Sequence, residues 1–322
     1  MQLPVNGGGA GVLDRAKGAL IGLALGDALG TTLEFERRDT QPEVTDIVGG
    51  GPFGLAAGEW TDDTSMALCL ADSLLAAGGL DVRDLIERFC RWHEHGYNSA
   101  TGECFDIGGA TAAALSSYRA TGEPLSGSPD PHSAGNGSLM RLSPVAIRWW
   151  RDPARAVEAA RLQSRTTHGT PQAVEACAVF AELLVEAIGG APKETVLRTR
   201  DWRGDAAIAA VAAGSWRAKE RDAISSSGYV LHTLEAALWC VGRSESIEEA
   251  LILAANLAGD ADTVAAVTGQ LAGALWGMSG APAAWLDKLA WRDRIESLAA
   301  ELFKAAGTET ERGGHREIPP AR

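Results

Sequence analysis

The chain is short of positive charge: across 322 residues, 29 Lys and Arg face 42 Asp and Glu, a formal charge of −13. That balance repels phosphate backbones, so no general nucleic-acid binding is expected. Any phosphate must be held locally, by backbone N–H groups or a bound cation. Cysteine is sparse too. Cys69, Cys90, Cys104, Cys177 and Cys240 are odd in number, widely spread and form no CxxC, which argues against a disulfide framework or a zinc cage. Four of them sit in apolar helical contexts that suit buried thiols. A basic leader is missing, and Asp27 cuts the first apolar stretch, so no signal peptide is expected. The longest apolar run, Thr263 to Gly280, carries Gln270 and follows two aspartates, which fits a core helix and not a membrane span. The expectation is a soluble, cytoplasmic protein without membrane association, a monomer being favoured. Alternating β-branched runs are also scarce, with Glu43 to Val48 the one modest candidate strand.

Helical periodicity fills the remainder, and 46% hydrophobic residues supply a core. Leu13, Ala16, Leu20, Leu23 and Ala24 recur at spacings of three and four, while Gly18, Gly22, Gly26 and Gly30 form an i, i+4 stripe. Each interior glycine costs about 1 kcal/mol against alanine, so the stripe predicts another backbone packed closely on that face. Further helices are expected at 64–77, 81–95, 107–120, 153–163, 171–188, 205–219, 228–241, 246–257, 263–277 and 284–305. Asp152 with Pro153, and Ser246 with Glu249, are start signals. No Pro/Ser-rich linker divides the chain. The expected class is all-α, a compact single-domain orthogonal helical bundle over 12–305, with a flexible N-terminus (1–11) and a disordered tail (306–322). The loop from Ala120 to Gly137, rich in Gly, Pro and Ser, is long enough to carry function.

Two acidic clusters each open an apolar helix: Thr61-Asp62-Asp63-Thr64 and Asp260-Ala261-Asp262-Thr263. Helix capping alone accounts for either one. Together they supply more carboxylates than two caps need. If they meet, a like-charged pair ~4 Å apart at an effective dielectric near 20 costs on the order of 4 kcal/mol, whereas a helix N-terminus returns about 0.3–1 kcal/mol per carboxylate. Protonation or cation binding must follow, and oxygen-only ligands suit Mg²⁺ or Mn²⁺. Other patterns carry less. Gly49, Gly51 and Gly54 fit GxGxxG formally, but Pro52 intervenes and no strand and helix flank them. His93-Glu94-His95 falls at a helix end, where solvated histidines are the default.

These segments, with others in the same order, carry a resemblance. Gly18 to Gly30 with Asp27, Glu34 in Leu-Glu-Phe, Thr61-Asp62-Asp63-Thr64, Phe105-Asp106-Ile-Gly108, Gly135-Asn136-Gly137-Ser138-Leu-Met-Arg141, Thr167-His168, Gly228-Tyr229 and Gly259-Asp260-Ala-Asp262-Thr263 resemble the ADP-ribosylglycohydrolase family, particularly its bacterial branch that includes dinitrogenase reductase-activating glycohydrolase. The resemblance implies an all-α hydrolase of the glycosidic bond between ADP-ribose and an acceptor, using two Mg²⁺ or Mn²⁺ ions. Its implied metal ligands are Thr61, Asp62, Asp63, Asp260, Asp262 and Thr263, with Glu34, Asp62 and Asp260 catalytic. Asp106 would contact the distal ribose, Gly135 to Ser138 would hold the pyrophosphate, and His168 and Tyr229 would touch substrate. Read alone, Glu34 is a solvated charge after a helix, Asp106 a helix cap, and Gly135-Asn136-Gly137-Ser138 either a turn or a phosphate loop at a helix start. His168 alone suits a structural hydrogen bond, and Tyr229 an amphipathic core position. An ADP-ribosylated protein, modified on arginine, is the expected partner. Serine-linked or small-molecule ADP-ribose is the alternative substrate, and an inactive ADP-ribose-binding or structural role the alternative class. Gly109, Ala258 and His232 depart from the family pattern and bear on substrate choice.

Overall fold

The computed structural model describes residues 9–308, and helices account for the regular structure among them. They are α1 (Gly9–Gly30), α2 (Asp62–Ala76), α3 (Val82–His95), α4 (Gly109–Thr121), α5 (Ser143–Arg148), α6 (Pro153–Ser164) and α7 (Pro171–Ile188). There follow α8 (Lys193–Val196), α9 (Ala206–Ala213), α10 (Val230–Arg243), α11 (Ile247–Ala255), α12 (Ala261–Trp276), α13 (Ala283–Lys288) and α14 (Arg292–Thr308). The described residues contain no β-strand, only isolated bridges. No described helix is long and apolar enough to cross a membrane. The segments expected to be flexible or disordered, 1–11 and 306–322, lie largely outside the described residues; 9–11 open α1 and 306–308 close α14.

The glycine stripe of α1 meets α12. A Cβ on Gly18, Gly22, Gly26 or Gly30 would lie 2.2, 2.2, 2.1 or 2.3 Å from the carbonyl oxygens of Gly273, Gly269, Ala265 and Ala261 respectively. The pairing is antiparallel, and α12 reciprocates: a Cβ on Gly269 or Gly273 would fall 1.9 or 1.8 Å from the carbonyl oxygens of Gly22 and Gly18. The two backbones therefore touch directly. Leu20, Ile21, Leu23, Val264, Val267 and Leu271 are fully buried around this seam. One continuous apolar cluster runs from Val12 to Ala306. Because the helices run opposite ways, the C-terminal end of α1, with Asp27, lies against the acidic N-terminal turn of α12.

Several expected boundaries shift for identifiable reasons. Glu43 to Val48 is not a strand: the side-chain amide of Asn256 donates to Val44 O at 2.8 Å and its Oδ1 accepts from Val44 N at 2.9 Å. That amide replaces the partner strand. The helix expected over 205–219 stops at Ala213, where Gly214 turns left-handed at φ 99°. The helix expected over 284–305 is two, α13 and α14, broken where Trp291 takes φ 56° and packs edge-on against Trp60, ring centroids 5.3 Å apart. Helices α5 and α8 carry no signal strong enough to anticipate them. The Ser246–Glu249 start works almost as expected: Glu249 N donates to Ser246 Oγ at 3.1 Å, while Glu249 Oε2 accepts from Glu245 N, one residue before the cap, at 2.8 Å.

A methyl group in the α1–α12 seam must push two backbones apart. Gly22→Ala is expected to destabilise the fold by roughly 2 kcal/mol or more, whereas Gly11→Ala, whose new Cβ finds only Arg15 Nη1 at 3.5 Å, leaves the melting temperature unchanged or slightly higher. Equal melting temperatures for the two variants would mean that the helices can separate without loss.

Candidate metal centre and substrate cleft

Asp27 organises the centre. It is fully buried on α1, and each of its oxygens receives two hydrogen bonds from the start of α2. Oδ1 accepts from Thr61 N and Thr61 Oγ1, both at 2.9 Å; Oδ2 accepts from Thr64 N at 3.0 Å and Thr64 Oγ1 at 2.6 Å. The cap of α2 thus comes from another helix, and neither Thr61 nor Asp260 caps its own helix through its side chain. This frees Asp62 and Asp63 from capping. Asp106 does not cap α4 either: that position is Gly108, and Asp106 lies before it at φ 57°.

Six acidic side chains converge with Asp27. Asp62, Asp63, Asp262 and Glu34 are buried; Asp106 and Asp260 are half-buried. Asp27, Asp63 and Asp262 bring one carboxylate oxygen each within 4.8 Å of one another, and so do Glu34, Asp106 and Asp262, so Asp262 belongs to both groups. Thr61 Oγ1 lies 3.3 Å from Asp63 Oδ2 and 3.2 Å from Asp262 Oδ2, besides its contact with Asp27, yet has a single proton to share. Thr263 Oγ1 donates to Asp63 Oδ2 at 3.2 Å. Asp260 Oδ2 accepts from Asn136 Nδ2 at 2.5 Å.

Burial raises the pKa of every one of these carboxyls, and the charge of their neighbours adds to it at most of them. Burial, then Asp106, Asp260 and Asp27, pushes Glu34 up to about 9. Burial, then Asp27 and Asp260, pushes Asp106 to about 7, and burial pushes Asp260 to about 6. Asp62, Asp63 and Asp262 are raised well above the usual carboxylate range, first by burial and then by their acidic neighbours. Glu34 Oε2, Asp63 Oδ1 and Asp262 Oδ1 are buried without a hydrogen-bond partner. Unpartnered buried oxygens are costly, and an all-oxygen donor set of carboxylates and hydroxyls matches hard divalent cations. The residues fit a metal centre.

A cleft of about 330 Å³ opens over this cluster, lined by Glu34, Phe35, Asp62, Asp106, Asp260 and Thr263 together with Gly135, Asn136, Gly137 and His168. Through Gly109, Ala110, Gly135 and Gly228 it joins a larger cavity of about 1040 Å³ between α4, the 126–135 loop and Tyr229. The Tyr229 hydroxyl donates to Gln172 Oε1 at 2.6 Å, and its ring stands edge-on to His232, centroids 4.9 Å apart. The long loop expected to carry function is thus a wall of this cavity. The glycine loop differs from expectation in one respect: no helix starts directly after it, since α5 begins at Ser143. Its N–H groups stand without a helix dipole behind them, and those of Gly137 and Ser138 have no acceptor among the described residues. The Ser138 side chain is turned inward, 2.8 Å from Ser164 Oγ. Ala258, the departure from a double glycine, adopts the left-handed conformation at φ 57°.

His168 is locked in one form. Arg141 Nη2 donates to Thr167 Oγ1 at 2.9 Å, and Thr167 Oγ1 lies 2.8 Å from His168 Nδ1. A guanidinium only donates, so the hydroxyl proton is left for Nδ1, which accepts. Burial, with Arg141 adding to it, pushes the His168 pKa down to about 3. The neutral ring therefore carries its proton on Nε2, the edge beside Gly135 and Gly137. A Cβ on Gly137 would sit 2.8 Å from His168 Cε1, which explains the glycine. Of the acidic residues that converge here, the sequence singles out all but Asp27, which it shows only within the first glycine motif. An aspartate inside an apolar, glycine-striped helix was the available signal.

Comparison with known proteins agrees with the all-helical fold. The family model described as ADP-ribosylglycohydrolase matches residues 9–312. The chain is 51% identical to the ADP-ribosylarginine hydrolase Tri1 of Pseudomonas putida (strain GB-1), covering 91% of this chain and 79% of the relative. It is 47% identical to the Tri1 of Serratia proteamaculans (strain 568), over 92% and 81%. Against the ADP-ribosyl-[dinitrogen reductase] glycohydrolase of Rhodospirillum rubrum the identity is 34%, over 87% and 92%. A solved chain titled ADP-ribosylglycohydrolase-related protein complex superposes with TM-score 0.82 at 44% identity, covering 92% of this chain and 99% of that one.

Two outcomes follow from the electrostatics. Unfolded, these carboxyls ionise near 4; folded, Asp260, Asp106 and Glu34 hold their protons to about 6, 7 and 9. In that window the folded state binds more protons than the unfolded one, so stability is full at acid pH and is lost as pH rises. In chelator, the melting temperature is expected to fall between about pH 5 and 8, and a saturating divalent cation should flatten the fall; a flat profile in chelator contradicts the cluster. For His168, nitrogen-15 NMR should show a proton on Nε2 with no titration over the same range. Thr167→Val should disturb that pattern and Thr167→Ser restore it; an Nδ1–H tautomer in the native protein contradicts the lock.

Proposed function

The chain belongs to the ADP-ribosylglycohydrolase family, and from that premise we propose that it hydrolyses the bond between ADP-ribose and the guanidino group of a modified protein arginine, with two Mg²⁺ or Mn²⁺ ions at the acidic centre. The observation that carries the reading is the convergence of buried carboxylates, three of whose oxygens lack partners, beneath a cleft continuous with a cavity of about 1040 Å³. Arginine as acceptor is supported by the two relatives named ADP-ribosylarginine hydrolase.

Thr61, Asp62, Asp63, Asp260, Asp262 and Thr263 would hold the ions; of these, Asp63 and Asp262 belong to the close carboxylate groups, which Asp27, Glu34 and Asp106 complete from the surrounding wall. When bound, such ions supply Lewis-acid polarisation and lower the pKa of water. The protein's own residues do the rest. The larger cavity takes the adenosine end, with Tyr229 on its wall. The free N–H groups of Gly137 and Ser138 and the Nε2–H of His168 offer neutral donors to the pyrophosphate, so the ligand is held without a basic patch. Asp106 reaches the distal ribose hydroxyls from the edge of the acidic centre. In the reaction the C–N bond at the anomeric carbon breaks, a water oxygen takes its place, and the water proton ends on the leaving guanidino nitrogen. Charge development is oxocarbenium-like, as in other glycoside hydrolyses. Glu34, buried beside the cluster with its Oε2 free of hydrogen-bond partners, is the carboxyl placed to carry that proton.

The test is release of ADP-ribose from arginine-modified protein with and without chelator, in wild type, Asp62→Asn and Asp260→Asn. Each variant should lose roughly 100-fold or more in kcat/KM while staying folded. In chelator each should melt no lower than wild type, because a repelling charge has gone. Wild-type turnover in both variants would contradict the assignment.

A further inference from the structure

Phe35 directly follows Glu34 and is 67% exposed, so it contributes little to the core. Its backbone lies in the left-handed region at φ 61°, which a bulky residue avoids and glycine enters freely. The main-chain bonds there explain the conformation: Phe35 N donates to Gly259 O at 2.6 Å, and Gly259 N donates to Glu36 O at 3.0 Å. This pair of bonds ties Glu34 to the start of α12. Nothing in it requires an aromatic ring. The chain therefore keeps a large exposed side chain at a position where glycine is easier, and an outlier of this kind points toward function.

The ring's location indicates what it meets. Three concavities join at Phe35: the catalytic cleft, a groove of about 650 Å³ along residues 41–52, and a groove of about 920 Å³ along residues 222–228. Phe35 lines all three. The opposite end of the catalytic cleft leads to the large cavity assigned to the adenosine, so the acceptor leaves past Phe35. Acidic side chains flank the exit: Glu36 and Glu43 in one groove, Asp222 in the other. The nearby Arg38 is spent on backbone carbonyls of Leu257, Arg221 and Ile224. An exposed aromatic face amid carboxylates is complementary to a planar cation.

We propose that Phe35 is an acceptor-specificity residue, its ring stacking on the guanidinium through which ADP-ribose is attached, with Glu36 and Glu43 facing the positive charge. The inference rests on the arginine-hydrolase reading of the same site. Phe35 discriminates for the acceptor and makes no contact with the ADP-ribosyl half.

Phe35→Leu, Phe35→Trp and Phe35→Gly test it against arginine-modified protein, with affinity for free ADP-ribose, which lacks the acceptor, measured alongside. Phe35→Leu should raise KM about fivefold, the worth of one exposed cation–π contact, with kcat unchanged, as loss of uniform binding requires. Phe35→Trp should restore wild-type KM. Phe35→Gly should melt at or above the wild-type temperature while raising KM further. Affinity for ADP-ribose should be the same throughout. An unchanged KM in Phe35→Leu, or a parallel loss of ADP-ribose affinity, overturns the proposal. Failure of the arginine reading shows differently, as a wild-type protein that binds ADP-ribose but releases none from arginine, and it removes the proposal's ground as well.

Discussion

Everything at the site depends on two helices whose backbones touch. Residues of α1 and α12 separated by most of the chain are held face to face because glycine and alanine alone occupy the seam, and a Cβ on any of the four α1 glycines would lie within 2.3 Å of a carbonyl oxygen. This contact forgoes helix propensity at Gly18, Gly22, Gly26 and Gly30. In return it fixes the end of α1 against the beginning of α12 with little freedom of rotation or slide. Asp27, Asp262 and, one turn further, Glu34 and Gly259 take their relative positions from it. A looser pair of helices would let the carboxylates separate until their repulsion relaxed.

The same rigidity stores electrostatic free energy. With no cation, like charges at ~4 Å oppose folding by on the order of 4 kcal/mol per pair at an effective dielectric near 20, or else the carboxyls take up protons and lose that charge. Glu34, Asp106 and Asp260, held up to about 9, 7 and 6, show the second route. Asp27 stands apart. Its four hydrogen bonds from Thr61 and Thr64 oppose the effect of burial, so it serves the centre by orienting the α2 turn. A cation bound at such a site would be linked to folding in one equilibrium. An overall charge of −13 is then compatible with the proposed anionic ligand, because the N–H donors at Gly137, Ser138 and His168, in and beside the cleft, are neutral.

Much of this was legible in the sequence, for reasons that differ by residue. The glycine stripe is periodic and expensive, so it announced a close partner, though not which one. The two Asp-rich turns exceeded what capping requires and pointed to a carboxylate cluster suited to a cation. What stayed hidden depended on distant contacts. Asp27 caps α2 from another helix, a relation that no local pattern encodes. Glu43 to Val48 reads as a strand, but the Asn256 amide satisfies its backbone. Trp291 sits left-handed between α13 and α14 with its ring packed on Trp60, and the left-handed backbones of Phe35, Asp106 and Ala258 likewise depend on the site around them. The departures at Gly109 and His232 fall at the cavity of about 1040 Å³: Gly109 lines it directly, and His232 stands against Tyr229 on its wall.

The central claim, that the α1–α12 seam assembles a two-cation centre, is tested most directly by anomalous diffraction from crystals grown with Mn²⁺. The account predicts two anomalous peaks, both within coordination distance of Asp262, one on the side of Asp63 and Thr61 and the other on the side of Asp106. Peaks confined to exposed acidic residues, or none in the cleft at saturating Mn²⁺, would contradict it.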